Sequence, residues 1–541
     1  MPPGRDKLNL RRSGAHLGLM VLLLLAGACS RPESDRFAPV PNVLRISQRN
    51  EPSDLDPATA GLPDEFFIIR ALSEGLVVPV RGADPQPAAA ASWDISADGL
   101  RYTFHLRPDG VWSNGEAVTA QDFVDSFRRV LSPATAARKA ELFFSVKNAR
   151  AFLSGNLKDF NAVGFHATDA RTLIVTLDRP SLGFLRYAAS GPWIPVNPRV
   201  VQREGRTWTS PGSYVGNGPY LLQEWLPGQR IIVRKNPLYR QAAAIHLQEI
   251  RFIRLDDGES EDRSYRAGEI DLTMGVPEDK LRVYAKDRPN ELHRAALLET
   301  RYLAFNTQRE PLNDSRVRQA LSLALDRQRL VHDVLHGGQI PARWILPGAT
   351  SNEHPALPSG YDREQEQARA LLRAAGFPNG QNFPRLELSE PVSWQSTLVL
   401  EAIQAMWKQT LGIEMAIAVR EARVHVAALR SGRYDIGFIT LIPDVDDPVA
   451  VLRDFTTASP NNYPHWSDRN YDALVERAGQ SGDPGAQRHF LREAQARLLD
   501  AQPLAPLYFN TQNWLMRPYV HGWQQDALWN RYYPGLWLDK R

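Results

Sequence analysis

A single cysteine in 541 residues is the tightest constraint on what this chain can become. It excludes an internal disulfide framework and any zinc or iron–sulfur site built on several thiolates. A chain of this length must therefore be held together by apolar burial. One core rarely grows past about 250–300 residues, so two or more domains are expected. Hydrophobic residues at 43% and charged residues at 23% are ordinary globular values, and they exclude a disordered or collagen-like chain.

The position of that cysteine is as informative as its rarity. Arg5, Lys7, Arg11 and Arg12 form a basic start, and Leu17–Ala28 is an apolar run. The run is shorter than the about 20 residues that span a bilayer, so residues 1–28 read as an export signal. It closes in Leu25-Ala26-Gly27-Ala28-Cys29-Ser30. Small residues before a cysteine at the end of a signal resemble the lipobox of bacterial lipoproteins, where the cysteine carries the lipid. Cys29 is the expected lipidation site, although Ala26 stands where that motif usually has Leu. Residues 29–36 read as a tether between lipid and body. Without residues 1–28 the chain keeps sixty basic and sixty acidic residues. No basic excess remains to neutralise phosphates, so nucleic-acid binding is disfavoured.

Helix-like and strand-like stretches alternate along the body, which points to a mixed α/β protein. Arg101–Arg107 (RYTFHLR) alternates like a strand, and Thr119 with Asp122 marks a helix start before Phe123, Phe127, Val130 and Leu131. Thr172–Leu177, Arg230–Arg234 and Tyr434–Ile442 read as strands. Arg316–Leu335, Gln365–Ala375 and Trp394–Leu411 read as helices. Leu504–Met516 reads as strand, turn, strand.

Catalytic signatures are missing. The chain has no Gly-x-Ser-x-Gly elbow, no phosphate-cradling Gly-x4-Gly-Lys-Ser/Thr and no His-Glu-x2-His helix. Gly216-Asn-Gly-Pro219 reads as a turn, and the 12 His are scattered. Neither catalysis nor a metal or cofactor is expected. One stretch stands out: Pro443-Asp444-Val445-Asp446-Asp447-Pro448 directly follows an apolar strand. The bland reading is a solvated loop or helix start, where Asp is favourable. The functional reading is a carboxylate at a cleft wall, which in a low-dielectric setting seeks a cation and so suits an amine. Calcium is a rival, but the further ligands and the Gly of an EF-hand loop are absent.

Several stretches together resemble the extracytoplasmic solute-binding proteins of family 5, and among them the oligopeptide binders of bacterial ABC importers. They are Ala91-Ser-Trp93, Tyr102–Arg107, Trp112-Ser-Asn-Gly115, Thr119–Phe123, Gly216–Tyr220, Asn236-Pro237-x-Tyr239 and Gly268-Glu-Ile-Asp271. Asn306, Asn313–Ala320, Ala324–Arg327, Tyr434-Asp435 and Asn461-Asn462 continue the series in family order.

The resemblance implies a two-lobed, type II-like periplasmic-binding-protein fold with a hinge and an extra third domain. It divides the chain into lobe I (37–73, 191–297 and 512–541), an extra domain II (74–190) and lobe III (298–511). It implies a monomer in the cell envelope that captures short peptides between closing lobes and hands them to an ABC permease and its ATPase. A nonpeptide solute (a nickel chelate, haem or a sugar) and an exported peptide sensor are the alternatives. By resemblance Asp444 holds the peptide α-ammonium. Main chain at Gly61-Leu62 and at Leu441, Ile442 and Pro443 pairs with peptide backbone as an added strand. Leu441 and Phe438 stand where the relative has Trp and Arg, and Trp394 lies where a His approaches the site. Lys139 replaces a Tyr. Lys139 and Arg263 are the candidate substitute cations for the carboxyl end of a ligand, with a solvated surface charge as the plainer reading of each.

Overall fold

The computed structural model describes residues 41–80, 83–346, 361–392 and 394–539. Cys29, the expected signal and the tether lie outside them. The described part opens with strand β1 (Val43–Gln48) and helix α1 (Pro63–Leu72). Pro63 suits the first helical turn, where its missing N–H costs nothing. Phe67, Ile68, Ile69, Ala71 and Leu72 of α1 are all buried.

The chain then leaves to build a second body: β2 (Ala90–Ile95), β3 (Arg101–Leu106), α2 (Ala120–Leu131), β4 (Phe165–Ala167) and β5 (Thr172–Thr176). Its sheet order is β2-β3-β5-β4. The alternation of β3 buries Tyr102, Phe104 and Leu106. Helix α2 begins with a capping box. The Thr119 hydroxyl accepts the Asp122 N–H at 3.3 Å, and the Asp122 carboxylate accepts the Thr119 N–H at 2.9 Å. Phe127 then meets Phe143, Phe165 and Trp193, and Phe143 stacks on Trp193 at 4.5 Å.

Back in the first body, β6 (Tyr220–Leu226), β7 (Arg230–Lys235) and β8 (Glu249–Arg254) complete a sheet in the order β1-β8-β7-β6. The Gly216–Gly218 segment docks on the end of α1. Gly218 N–H donates to the Leu72 carbonyl at 2.9 Å. A Cβ at Gly216 or Gly218 would fall 2.1 or 2.6 Å from Leu72 backbone atoms, so only glycine allows the approach.

The third body holds β9 (Leu292–Phe305), α3 (Ser315–Leu323), β10 (Ile340–Pro341), α4 (Tyr361–Ala374), β11 (Leu386–Pro391) and α5 (Trp394–Leu411). It continues with β12 (Met415–Arg420), α6 (Ala422–Arg430), β13 (Ile436–Leu441), α7 (Pro448–Arg453), α8 (Arg469–Gln480), α9 (Pro484–Ala501) and β14 (Leu504–Leu515). The sheet order is β10-β14-β9-β13-β11-β12. Leu303, Phe305, Ile436 and Phe438 face one core with α3, α4 and α5. Tyr302, Ala304, Ile439 and Leu441 face another with α7, α8 and α9. The period of two along β9 and β13 thus makes an α/β/α sandwich.

Two sequence expectations are corrected. Arg316–Leu335 is not one helix. α3 stops at Leu323, and the Asp326 side chain accepts the Arg329 N–H at 2.9 Å to start a separate helical segment ending at Leu335. An Asp that caps competes with continuation of the helix. Leu504–Met516 contains no turn; β14 runs through it. The polar run that looked like a turn stays extended because its side chains find partners. Asn510 donates to Glu299 at 2.9 Å, Thr511 to the Gly337 carbonyl at 2.7 Å and Gln512 to the Met274 carbonyl at 2.9 Å. β9 and β14 pair from Leu292↔Leu515 to Ala304↔Leu504, with a register shift between Ala296 and Thr300. Ala295 and Trp514, on one side of the shift, pack in the first body, whereas Leu303, Ala505 and Leu507 pack in the third. This strand pair is the bridge between the two. Among the described residues, no helix is long and apolar enough to cross a membrane.

Candidate functional site

A cleft enclosing about 1050 Å³ of empty space, part of it open to solvent, lies where the three bodies meet. Helix α1 contributes Phe66, Phe67 and Arg70. The second body contributes Lys139 and Arg186, and the loop after β13 contributes Ile442–Asp446. The apolar strand β13 delivers that loop to the rim and then stops, because Pro443 cannot extend the ladder.

Asp444 faces this cleft, and it already has a cation. Its carboxylate forms an ion pair with the Lys139 ammonium of the second body. Neighbouring residues of the loop are also held by the second body. Arg186 Nη1 donates to the Asp446 carbonyl at 2.7 Å, and the Tyr187 hydroxyl donates to Asp447 Oδ2 at 2.9 Å. Val445 is 2% exposed and inserts into the second body's apolar core. Burial raises the carboxyl of Asp446 above its ordinary value, with Arg186 opposing. Burial likewise raises Glu141 and Asp454, and the charge of Asp444 adds to both rises. Asp444 therefore sits among carboxylates, with Lys139 as its direct counter-ion.

Among the described residues, the edge of β13 is paired only in part. β13 pairs with β9 from Ile436 to Leu441, but with β11 only at Ile436 and Gly437. The Phe438 carbonyl meets His425 Nε2 of α6 at 3.2 Å. Main-chain groups alternate sides along a strand, so those of Thr440 point the same way as the Phe438 carbonyl, no β11 pairing reaches them among the described residues, and a continued strand would aim those of Ile442 there too. The other expected edge differs. The N–H groups of Gly61 and Leu62 both donate to Glu65 Oε2, at 2.7 and 3.0 Å, and so are not free to meet a ligand.

Gly61, Ile442, Pro443 and Asp444 line the cleft together. Leu62 is exposed as the residue before α1, whereas Leu441 is buried in the third body. Phe438, at 2% exposed, belongs to the core against α5 and does not reach the cleft wall. Arg263 sits on the exposed face of the helix Gly258–Arg266 in the first body, outside the cleft lining. The side chain of Trp394 lies outside the described residues. Among the described residues no three His, Cys, Asp or Glu gather as metal ligands.

Two lining cations were not singled out from sequence. Arg70 donates to the Ala189 carbonyl at 3.1 Å, and its Nε has no partner among the described residues. A lone Arg inside the apolar run of α1 was a usable signal for it. Arg186 had no such signal.

The family model for bacterial extracellular solute-binding proteins, family 5 (middle part), matches residues 84–463. The chain is a family 5 solute-binding protein. It is 32% identical over 501 residues to the probable deoxycholate-binding periplasmic protein YgiS of Escherichia coli (strain K12), covering 92% of this chain and 93% of that one. It is also 32% identical to the periplasmic murein peptide-binding protein MppA of the same organism, covering 88% and 89%. Among solved structures, the Haemophilus influenzae OppA complex with the peptide RPPGFSPFR superposes with a TM-score of 0.77 at 27% identity, over 93% of this chain and 100% of that one. This family 5 protein has the two-lobed, type II-like fold of extracytoplasmic binding proteins, and its family supplies the substrate-binding components of transport systems rather than enzymes.

Proposed function

We propose that this protein captures oligopeptides in the cleft and delivers them to an ABC importer, from an envelope position held by a lipid on Cys29. In this reading the first, second and third bodies are lobe I, domain II and lobe III with the boundaries given above. Asp444 at the end of β13 carries the reading. It supplies a carboxylate for a peptide amine next to a strand edge left open at Thr440 and Ile442, so one end is recognised by charge and the rest by main chain. Native mass spectrometry of residues 30–541 purified from a periplasm tests it. A ladder of adducts at two-to-six-residue peptide masses is expected, and titration calorimetry with tripeptides should give saturable heat. A protein that binds none of a broad peptide set would sink the reading.

A second reading is favoured by one observation. With Lys139 neutralising Asp444, the cleft wall keeps Arg70 as a cation beside the apolar side chain of Phe66. That combination suits an apolar solute bearing a carboxylate. The similarity to a protein named for deoxycholate fits it. Displacement of bound peptide by deoxycholate separates the two readings.

A further inference from the structure

We propose that Lys139 is a tethered ammonium occupying the amine place on Asp444, and that it sets which ligands the cleft accepts. The amine place and the choice of ligand rest on the peptide reading. The Lys139 ammonium pairs with the carboxylate that faces the cleft, and the two residues come from different bodies. The loop bearing Asp444 is independently pinned by Arg186, Tyr187 and Val445. Removing Lys139 therefore leaves the carboxylate in place.

An incoming α-ammonium has to take Asp444 from Lys139. The displaced lysine then needs an anion. Glu141, two residues along, feels both Lys139 and Asp444 but is itself partly desolvated. A ligand that brings its own carboxylate next to its amine solves this, because Lys139 moves from Asp444 to the ligand. The cleft should thus favour peptides with an acidic first residue over those with a neutral one. Without Lys139, such a carboxylate loses the cation beside Asp444 and meets the charges of Asp444 and Glu141 there, while Arg70 and Arg186 remain elsewhere on the cleft wall.

The experiment uses the whole chain and Lys139→Ala, with Lys139→Met as a control that keeps the stem. Calorimetry compares tri-alanine with Glu-Ala-Ala. Wild type should bind Glu-Ala-Ala about fivefold tighter, the scale of one partly exposed ion pair. Lys139→Ala should bind tri-alanine about fivefold tighter than wild type does, and should lose or reverse the preference. An unchanged preference overturns the proposal. A second arm needs no peptide. n-Propylammonium chloride, against sodium chloride at equal ionic strength, should raise the melting temperature of Lys139→Ala but not that of wild type or of the double variant Lys139→Ala/Asp444→Asn. If it stabilises all three or none, the tethered ammonium is refuted whatever the peptides do. If it stabilises Lys139→Ala alone while no peptide binds either protein, the peptide reading falls and the self-occupied amine site stands.

Discussion

Asp444 and its counter-ion illustrate how much context decides the worth of one charge. The Asp444 side chain is 40% exposed and that of Lys139 23%, so water screens the pair. The pair belongs with surface ion pairs, which contribute up to about 1 kcal/mol, rather than with buried ones. Asp444→Asn should therefore weaken a free-amine peptide by about fivefold and leave its N-acetylated form unchanged. Calorimetry on the two peptides measures this, and an equal loss for both would remove Asp444 as the anchor. Asp444 was legible in the sequence because a carboxylate directly after an apolar strand has few settings. Its pairing was not: Lys139 stood out only as a candidate cation for a ligand's carboxyl end, and no local pattern joins residues 305 apart. Phe438 was misjudged for a different reason. It shares a strand face with Ile436, and that face is closed by α5 until Thr440. Arg263 had only its charge to recommend it, and its helix turns that charge to solvent.

The start of α2 was readable because its cap sits on the spot, and side-chain caps at two helix starts yield measurable costs. Thr119 caps α2 as its spacing to Asp122 predicts, so Thr119→Ala should cost about 1 kcal/mol in urea unfolding. A shift in slope without a shift in midpoint would contradict that. At α1, Glu65 collects the N–H groups of Ser53, Gly61 and Leu62 and the Ser53 hydroxyl. Burial works to raise its carboxyl, but these donors outweigh burial and hold it below its ordinary value of 4.5. A depressed carboxyl stabilises the fold fully above the unfolded value, and that contribution disappears as pH falls through the lower folded one. Unfolding midpoints should therefore drop below about pH 4.5 in wild type and less steeply in Glu65→Gln. Identical pH slopes would show that the Glu65 charge contributes nothing. Elements that depend on distant partners were harder to read. β14 looked broken because four polar residues in a row suggest a turn, and only partners far away in sequence, Glu299 on β9 and the carbonyls of Gly337 and Met274, supply the acceptors that keep them extended.

At the scale of the whole molecule, alternating helix and strand signals identified an α/β protein, but the assembly of three bodies depends on contacts between segments far apart in sequence. Val445 is the sharpest of these. It belongs to a third-body loop, yet it is buried among Phe and Trp side chains of the second body. It is flanked by the Lys139–Asp444 pair and by the Tyr187–Asp447 hydrogen bond. β9 and β14 connect the first and third bodies, with a register irregularity where they leave one core for the other. A two-lobed binder closes by bending such a connection, and a plug across the cleft biases it toward the closed form. Val445→Asp puts a charge into that core, which costs several kcal/mol if it stays buried without a partner. The loop can withdraw without dismantling either core, so separation of the bodies is the cheaper response. Small-angle scattering should show a larger radius of gyration for the ligand-free variant, and calorimetry should show weaker ligand binding with little change in melting temperature. An unaltered radius with a sharply lower melting temperature would instead make Val445 a structural member of the second core, and the plug would have no part in closure.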